Sequence, residues 1–173
     1  MIDLNRWEIH RHEKGAEIVN QAGPYGPGPW LELGSGIGNN TIPLSKKVDT
    51  LIALDVNTRD LLKLQQKTTL IYPLQADFRT LPFCMNSLGG IFTSFSIHFV
   101  EEHSLVFREA TRVLRSDGTL ILVEYQTSES VPWIPFPLPQ KRACQLLQRE
   151  GYSALETLHE TPRYYILHGR KKE

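Results

Sequence analysis

The stretch Leu31-Glu32-Leu33-Gly34-Ser35-Gly36-Ile37-Gly38-Asn39-Asn40 decides the reading of the chain. A short apolar run, Trp30–Leu33, predicts a strand, and Asn39–Lys47 predicts a helix, so three closely spaced glycines fall at a strand-to-helix turn. Glycine there lets the backbone bend sharply and approach a ligand more closely than any Cβ permits. A dinucleotide fingerprint would place its third glycine at position 39, where this chain has Asn39. Glu32 stands just before the bend. A carboxylate beside the loop is a poor neighbour for pyrophosphate and a good one for a ligand bearing an ammonium or sulfonium. The plainer alternative is an ordinary turn, for which one glycine suffices.

Outward from this loop, short apolar runs alternate with helical patterns. The predicted strands are Trp30–Leu33, Thr50–Asp55, Leu70–Gln75, Gly90–Ser96 and Thr119–Glu124. Asn39–Lys47, Thr58–Lys67 and Glu101–Arg115 are the predicted connecting helices, the last with Leu105, Val106, Ala110, Val113 and Leu114 as its buried stripe. That alternation predicts α/β architecture with a doubly wound, mostly parallel sheet and helices on both faces. After Glu124 the pattern changes to a proline-rich segment, Val131–Gln140, and a helix at Lys141–Glu150. Ala154–His159 and Arg163–His168 follow, separated by little more than Thr161-Pro162, and predict an antiparallel C-terminal hairpin that brings the sheet to seven strands. An N-terminal helix is expected near Glu8–Gln21, ended by the Gly/Pro-rich residues 23–29.

Composition bounds the remaining choices. At 173 residues with 40% hydrophobic content, the chain is expected to form a single domain spanning residues 1–173. Nineteen basic and nineteen acidic residues cancel, which argues against nucleic acid as a partner. Cys84 and Cys144 have no metal or disulfide-framework spacing, and reduced thiols in a cytoplasmic location are expected. No apolar run approaches the roughly 20 residues that cross a bilayer, so no membrane partner is expected. His10 and His12 cannot share one helix face, and no metal site is expected.

Two further carboxylates end strands. Asp55 closes the second strand roughly 20 residues after the loop, where it can accept hydrogen bonds from ribose hydroxyls, or alternatively cap the helix that follows. Asp77 closes the third, where it can accept from an exocyclic amine beside Phe78 or simply shape a turn.

Taken in order, ELGSGIG at 32–38, ALDVN at 53–57, QADFRTLPF at 75–83 and EATRVLRSDGTLILVE at 109–124 resemble the motifs of class I S-adenosylmethionine-dependent methyltransferases, in particular the small type-11 methyltransferase domain group. The resemblance runs from about Glu13 to Lys171. It implies a Rossmann-like fold, S-adenosylmethionine as methyl donor with S-adenosylhomocysteine as product, and in-line transfer to an acceptor. It further implies that Glu32 orients the loop and the donor's ammonium, with Gly34, Ser35, Gly36 and Gly38 forming the loop around the methionine part. Asp55 and Val56 would flank the ribose, Asp77 and Phe78 would meet the adenine, and Ser94 would lie beside the methionine. His98, within GGIFTSFSIHFV, would lie near the transferring methyl; a base is useful when the acceptor is a hydroxyl or a protonated amine, and His98 is the candidate catalytic residue for that role.

Three positions depart from the family pattern: Gly89-Gly90 where an acidic residue commonly opens the fourth strand, Ser116-Asp117-Gly118 where a proline-glycine turn is usual, and Pro43 early in the first crossover helix. His98 has a plainer reading as a wall or core histidine. Glu124 and Tyr125 are expected to face the acceptor, and Val131–Gln140 to act as a lid or as an ordinary packed loop. Ser94-Phe95-Ser96-Ile97 stands where a nucleic-acid base methyltransferase carries an Asn/Asp-Pro-Pro-aromatic segment, which leaves a small-molecule acceptor as the leading expectation. A methyltransferase acting on protein or nucleic acid, a donor-binding module without catalysis and an NAD-dependent dehydrogenase are the alternatives.

Overall fold

The computed structural model describes residues 14–172. The first part of the expected N-terminal helix, with His10 and His12, lies outside them. Residues 14–21 are helical (α1). The elements that follow are β1 (Pro29–Leu33), α2 (Thr41–Leu44), β2 (Thr50–Asp55), α3 (Thr58–Lys67), β3 (Tyr72–Gln75), β4 (Leu88–Ser94), a 3-10 turn (Ile97–Phe99), α4 (His103–Val113), β5 (Leu114–Tyr125), α5 (Gln140–Arg149), β6 (Tyr152–Glu160) and β7 (Tyr164–Lys171). The seven strands form one sheet in the order β3-β2-β1-β4-β5-β7-β6. The first five strands pair in parallel, and β7 runs antiparallel to both β5 and β6. The doubly wound Rossmann-like sheet and its C-terminal hairpin match the architecture expected from the sequence.

Alternation within the central strands divides their side chains between two apolar clusters. Leu31, Leu33, Leu120 and Leu122 pack with Phe107, Ala110 and Val113 of α4 and Leu147 of α5. Trp30, Ala53, Ile121 and Val123 pack on the opposite side with Ile18 and Val19 of α1, Leu44 of α2 and Leu64 of α3. Each fully buried large aliphatic or aromatic side chain contributes about 1.5–3 kcal/mol, so this two-sided burial is what makes the central strands near-continuous apolar runs.

Several boundaries differ from the sequence expectation for local reasons. The first crossover helix is only four residues long, and Pro43 sits in its first turn, where a missing N–H is tolerated. β4 ends at Ser94 because Phe95 has a φ of 51°, which breaks the extended run. α4 buries Val106, Phe107, Ala110 and Val113, while Leu105 is exposed and Leu114 already belongs to β5. The spacing places Phe107 on the stripe in place of Leu105. No helix joins β3 to β4; the segment is held against α4 by Arg112, which donates to the carbonyls of Phe83 and Leu81 at 2.7 and 2.8 Å, and by Glu109, which accepts from the Leu81 amide at 2.8 Å.

The two glycine departures also have a packing cause. A Cβ on Gly90 would lie 2.3 Å from the indole of Trp30, and one on Gly89 would lie 2.3 Å from the Pro27 carbonyl. Trp30 is fully buried on β1 and donates from Nε1 to the Gly26 carbonyl at 2.8 Å. Bulk supplied by β1 takes the space that a side chain on β4 would need.

Candidate functional site

The strand order reverses between β1 and β4, and ligands of open α/β sheets settle beyond the carboxyl ends of strands at such a switch point. A cleft of about 1530 Å³ opens there. The glycine loop forms its first wall. Gly34, Gly36 and Gly38 have φ values of 74°, 51° and 94°, the left-handed region that favours glycine. Their surroundings separate them. A Cβ on Gly34 would lie 2.5 Å from the Cβ of Ser96, and one on Gly38 would lie 2.3 Å from Leu64, whereas one on Gly36 would meet nothing within 4 Å and would project into open space. Gly34, Ser35 and Gly36 line the cleft; Gly38 packs against α3 and does not.

Glu32 lies behind the loop. Its side chain is buried, and Oε2 has no hydrogen-bond partner. Burial pushes its pKa up to about 8; the nearby Thr41 hydroxyl lowers it in part, and the Asp55 charge raises it. Ser35 Oγ, Asn39 Oδ1 and Ser94 Oγ are likewise buried without partners. Buried polar groups are ordinarily paired, and orphans gathered around one loop indicate a site built for a polar ligand. A cationic group would satisfy Glu32 in its ionised form.

Asp55 ends β2 and lines the cleft. Its Oδ2 accepts from the Gly36 amide at 2.8 Å and its Oδ1 from the Asn57 amide at 2.8 Å. The helix cap of α3 is Asn57, whose side chain accepts from the Arg59 amide at 3.1 Å, so Asp55 does not serve as that cap. Val56, 60% exposed, follows on the same wall. Asp77 forms the turn that the sequence offered as one alternative. Its carboxylate accepts from the Arg79 amide at 2.8 Å and pairs with the Arg79 guanidinium, which holds the Asp77 pKa below its ordinary value. Asp77, Phe78 and Arg79 all line the cleft, and so does Ser94 at the end of β4.

The far end of the cleft is aromatic. His98, in the 3-10 turn after β4, lines it and is only 2% exposed. Its Nδ1 lies 2.8 Å from Glu124 Oε2. Glu124 Oε1 accepts from the backbone amides of Ile97 and His98 at 2.9 and 3.3 Å, and Oε2 also accepts from the Tyr125 amide at 3.2 Å. Contrary to expectation, Glu124 is buried and turned to His98, away from the cleft, while Tyr125 does line it. The ring centroids of Tyr125 and Phe95 lie 4.6 Å apart with the planes tilted by 35°, and Phe99 and Trp133 are exposed over the same space.

The segment 131–140 is anchored at its base. Ile134 and Leu138 are buried, the Phe136 amide donates to the His98 carbonyl at 3.0 Å, and Tyr165 Oη donates to the Leu138 carbonyl at 2.6 Å. Sequence reasoning missed Thr161, Arg163 and Tyr164, which the β6–β7 turn brings to the cleft, and Lys14 and Glu17 from α1. Their only sequence signal was a hairpin turn and an amphipathic helix, neither of which tells what it faces. Among the described residues, no helix is long and apolar enough to cross a membrane.

A family model described as a methyltransferase domain matches residues 31–122, the span from the glycine loop through β5. The chain is 28% identical over 139 residues to the ubiquinone/menaquinone biosynthesis C-methyltransferase UbiE of Marinomonas sp. (strain MWYL1); the match covers 75% of this chain and 55% of that protein. The chain therefore spans about half the length of that relative. Among solved structures, the YcgJ protein of Bacillus subtilis superposes with a TM-score of 0.76 at 14% identity, covering 94% of this chain and 99% of that one. The phosphoethanolamine N-methyltransferase 2 of Haemonchus contortus, solved with phosphomonomethylethanolamine and S-adenosylhomocysteine, does so with a TM-score of 0.77 at 12% identity, covering 93% and 53%. With its glycine loop, its sheet order and a matching family model that spans more than half of its length, the chain belongs to the methyltransferase-domain family of class I S-adenosylmethionine-dependent methyltransferases.

Proposed function

We propose that the protein methylates a small-molecule acceptor, using S-adenosylmethionine held against the glycine loop and His98 as the proton acceptor at the other end of the cleft. The observation that carries this reading is the set of buried, partnerless polar atoms at Glu32, Ser35 and Ser94 around a loop whose Gly36 opens into the same cleft that His98 lines. The donor supplies an electrophilic methyl group on a cationic sulfur. The chain's task is to align acceptor and methyl and to exclude water.

Glu32 holds the loop and balances positive charge. The backbone of Gly34, Ser35 and Gly36 lines the methionine part, and Gly38 keeps the loop seated on α3. Asp55, already fixed by the Gly36 and Asn57 amides, retains free lone pairs on both oxygens for the ribose hydroxyls, with Val56 beside them. Asp77 and Phe78 take the adenine end, and Ser94 lies beside the methionine. A small acceptor fits a cleft whose far wall is formed by single aromatic side chains, and the named activity of the relative, a C-methyltransferase of quinone biosynthesis, supports the same class.

Calorimetric titration with S-adenosylmethionine, S-adenosylhomocysteine and NAD tests the donor assignment. Binding of the first two and not the third is expected. Binding of NAD alone overturns it.

A further inference from the structure

We propose that the protein has a second ligand site, apart from the donor cleft, in the cavity between the starts of α4 and α5, and that this site takes a small monocarboxylate with an apolar body, held by Arg142 and His103.

The cavity holds about 410 Å³, within the usual range for a small organic ligand, and none of the residues lining it lines the cleft. Residues 133–137 form the partition: Trp133 faces the cleft, whereas Pro135, Phe136 and Pro137 face the cavity. Two helices open onto it. Glu101 and His103 bring the start of α4, and Pro139 and Arg142 bring the start of α5. Neither helix has a side-chain cap or an acidic residue in its first turn. The Gln140 amide donates to Gln126 Oε1 at 3.1 Å, which leaves α5 with the amides of Lys141 and Arg142 lacking an acceptor inside the helix. The positive ends of two helix dipoles on one hollow favour an anion there.

His103 supplies the second, independent observation. It is buried, its Nε2 lies 3.1 Å from the Phe136 carbonyl, and its Nδ1 has no partner. A carbonyl only accepts, so the ring proton sits on Nε2 and Nδ1 carries an unused lone pair. Buried polar atoms are ordinarily paired, and this one belongs to a ring that lines the cavity together with Arg142, whose exposed guanidinium forms no ion pair among the described residues.

The groups facing the ring set its charge. Burial, and next Arg142, hold His103 below its ordinary pKa, with a lesser push from His98; the Phe136 carbonyl and Glu124 act the other way. The ring by itself is therefore neutral. A carboxylate placed between Arg142 and the ring reverses the balance: it offsets the guanidinium and accepts from a protonated Nδ1, so binding draws a proton from solvent onto that nitrogen. Arg142 and protonated His103 supply two positive charges, and exposed Glu101 on the same cavity cancels one. A single negative charge completes the site, which suits a carboxylate better than a phosphate dianion. Pro135, Phe136 and Pro137 offer an apolar wall to the rest of the molecule. An occupant also bears on the cleft, because Phe136 accepts from His103 and its amide donates to the His98 carbonyl at 3.0 Å.

Benzoate is the probe, with benzamide as its neutral counterpart and phenyl phosphate as the dianion, each titrated by calorimetry into the full chain with and without S-adenosylhomocysteine. Benzoate is expected to bind equally in both conditions and more tightly than either counterpart. Its affinity is expected to fall as pH rises past the ordinary histidine value of about 6.5. Arg142→Gln is expected to weaken it about tenfold or more, the loss of a charge-assisted pair. His103→Gln is expected to weaken it severalfold and to abolish proton uptake, read from the dependence of the heat on the ionisation enthalpy of the buffer. Glu101→Gln is expected to tighten it, and Arg163→Gln, in the cleft, to leave it unchanged. Arg142 is exposed, so its variant keeps the test decisive if His103→Gln does not fold. Absence of benzoate binding, equal binding of benzamide, wild-type affinity in Arg142→Gln, or loss of binding in Arg163→Gln overturns the site. Tighter binding of phenyl phosphate overturns the choice of a monoanion. The donor assignment stands or falls separately, on S-adenosylhomocysteine binding alone.

Discussion

The two ends of the cleft are finished in opposite ways. Around the glycine loop, Glu32, Ser35 and Ser94 hold buried polar atoms with no partner, and Gly36 faces open space. Around His98, each carboxylate oxygen of Glu124 is engaged, and the ring, the turn and the tip of β5 are tied together through it. One end carries unmet hydrogen-bonding capacity, which a ligand can satisfy; the other is organised in advance, which suits a group that must already be aimed when the ligand arrives. An unsatisfied end costs stability until it is filled, whereas a satisfied end costs little and resists rearrangement.

Substitution at each end breaks the comparison in a different observable. His98→Gln is expected to lower turnover by about 10²–10⁴-fold, the usual range for loss of a general base, and to leave S-adenosylhomocysteine affinity unchanged in calorimetry. Gly34→Val forces a Cβ to within 2.5 Å of Ser96 in a left-handed backbone; a loss of about 2 kcal/mol or more in thermal or denaturant unfolding is expected, together with lost donor binding. Asp55→Ala is expected to weaken donor binding by about 1–3 kcal/mol while turnover at saturating donor changes little. An Asp55→Ala variant with wild-type donor affinity would remove Asp55 from the ribose.

The finer contrast is pH. Glu32 in the folded protein titrates near 8 against an ordinary 4.5, so between those values the native state holds a proton that the unfolded chain has released. Stability of the donor-free protein is therefore expected to fall as pH rises from about 4.5 to 8 and then to level off, and Glu32→Gln is expected to flatten that slope. Donor affinity in wild type should rise over the same window, because a cation favours the ionised carboxylate. The smallest effect is expected at Trp133→Ala, about 1 kcal/mol in acceptor affinity, with donor binding untouched.

How much of this was legible in the chain varies with the kind of interaction. β2 and α3 fall residue for residue on the spans that the apolar run and the helical pattern predict, because both patterns are local, although the cap of α3 proves to be Asn57 and not Asp55. The glycine loop was legible as a bend but not as three different glycines: only the neighbours Ser96, Leu64 and open space distinguish Gly34, Gly38 and Gly36. Gly89-Gly90 read as an oddity in the chain because the Pro27 carbonyl and the Trp30 indole, which occupy the places of their two side chains, lie about sixty residues earlier.

Sequence alone fixed the alternation of strands and helices, the bend before the first crossover helix and the carboxylates at the strand ends, since each depends on residues within a turn or a strand of one another. Tertiary structure decided that Glu124 pairs with His98, that Arg163 and Tyr164 reach the cleft, and that Glu32 Oε2 is buried without a hydrogen-bond partner. Those facts belong to residues far apart in the chain, brought together by the pairing of β4 with β5 and of β5 with β7. A one-dimensional pattern records which face a side chain takes, and only the register of neighbouring strands says what stands opposite it.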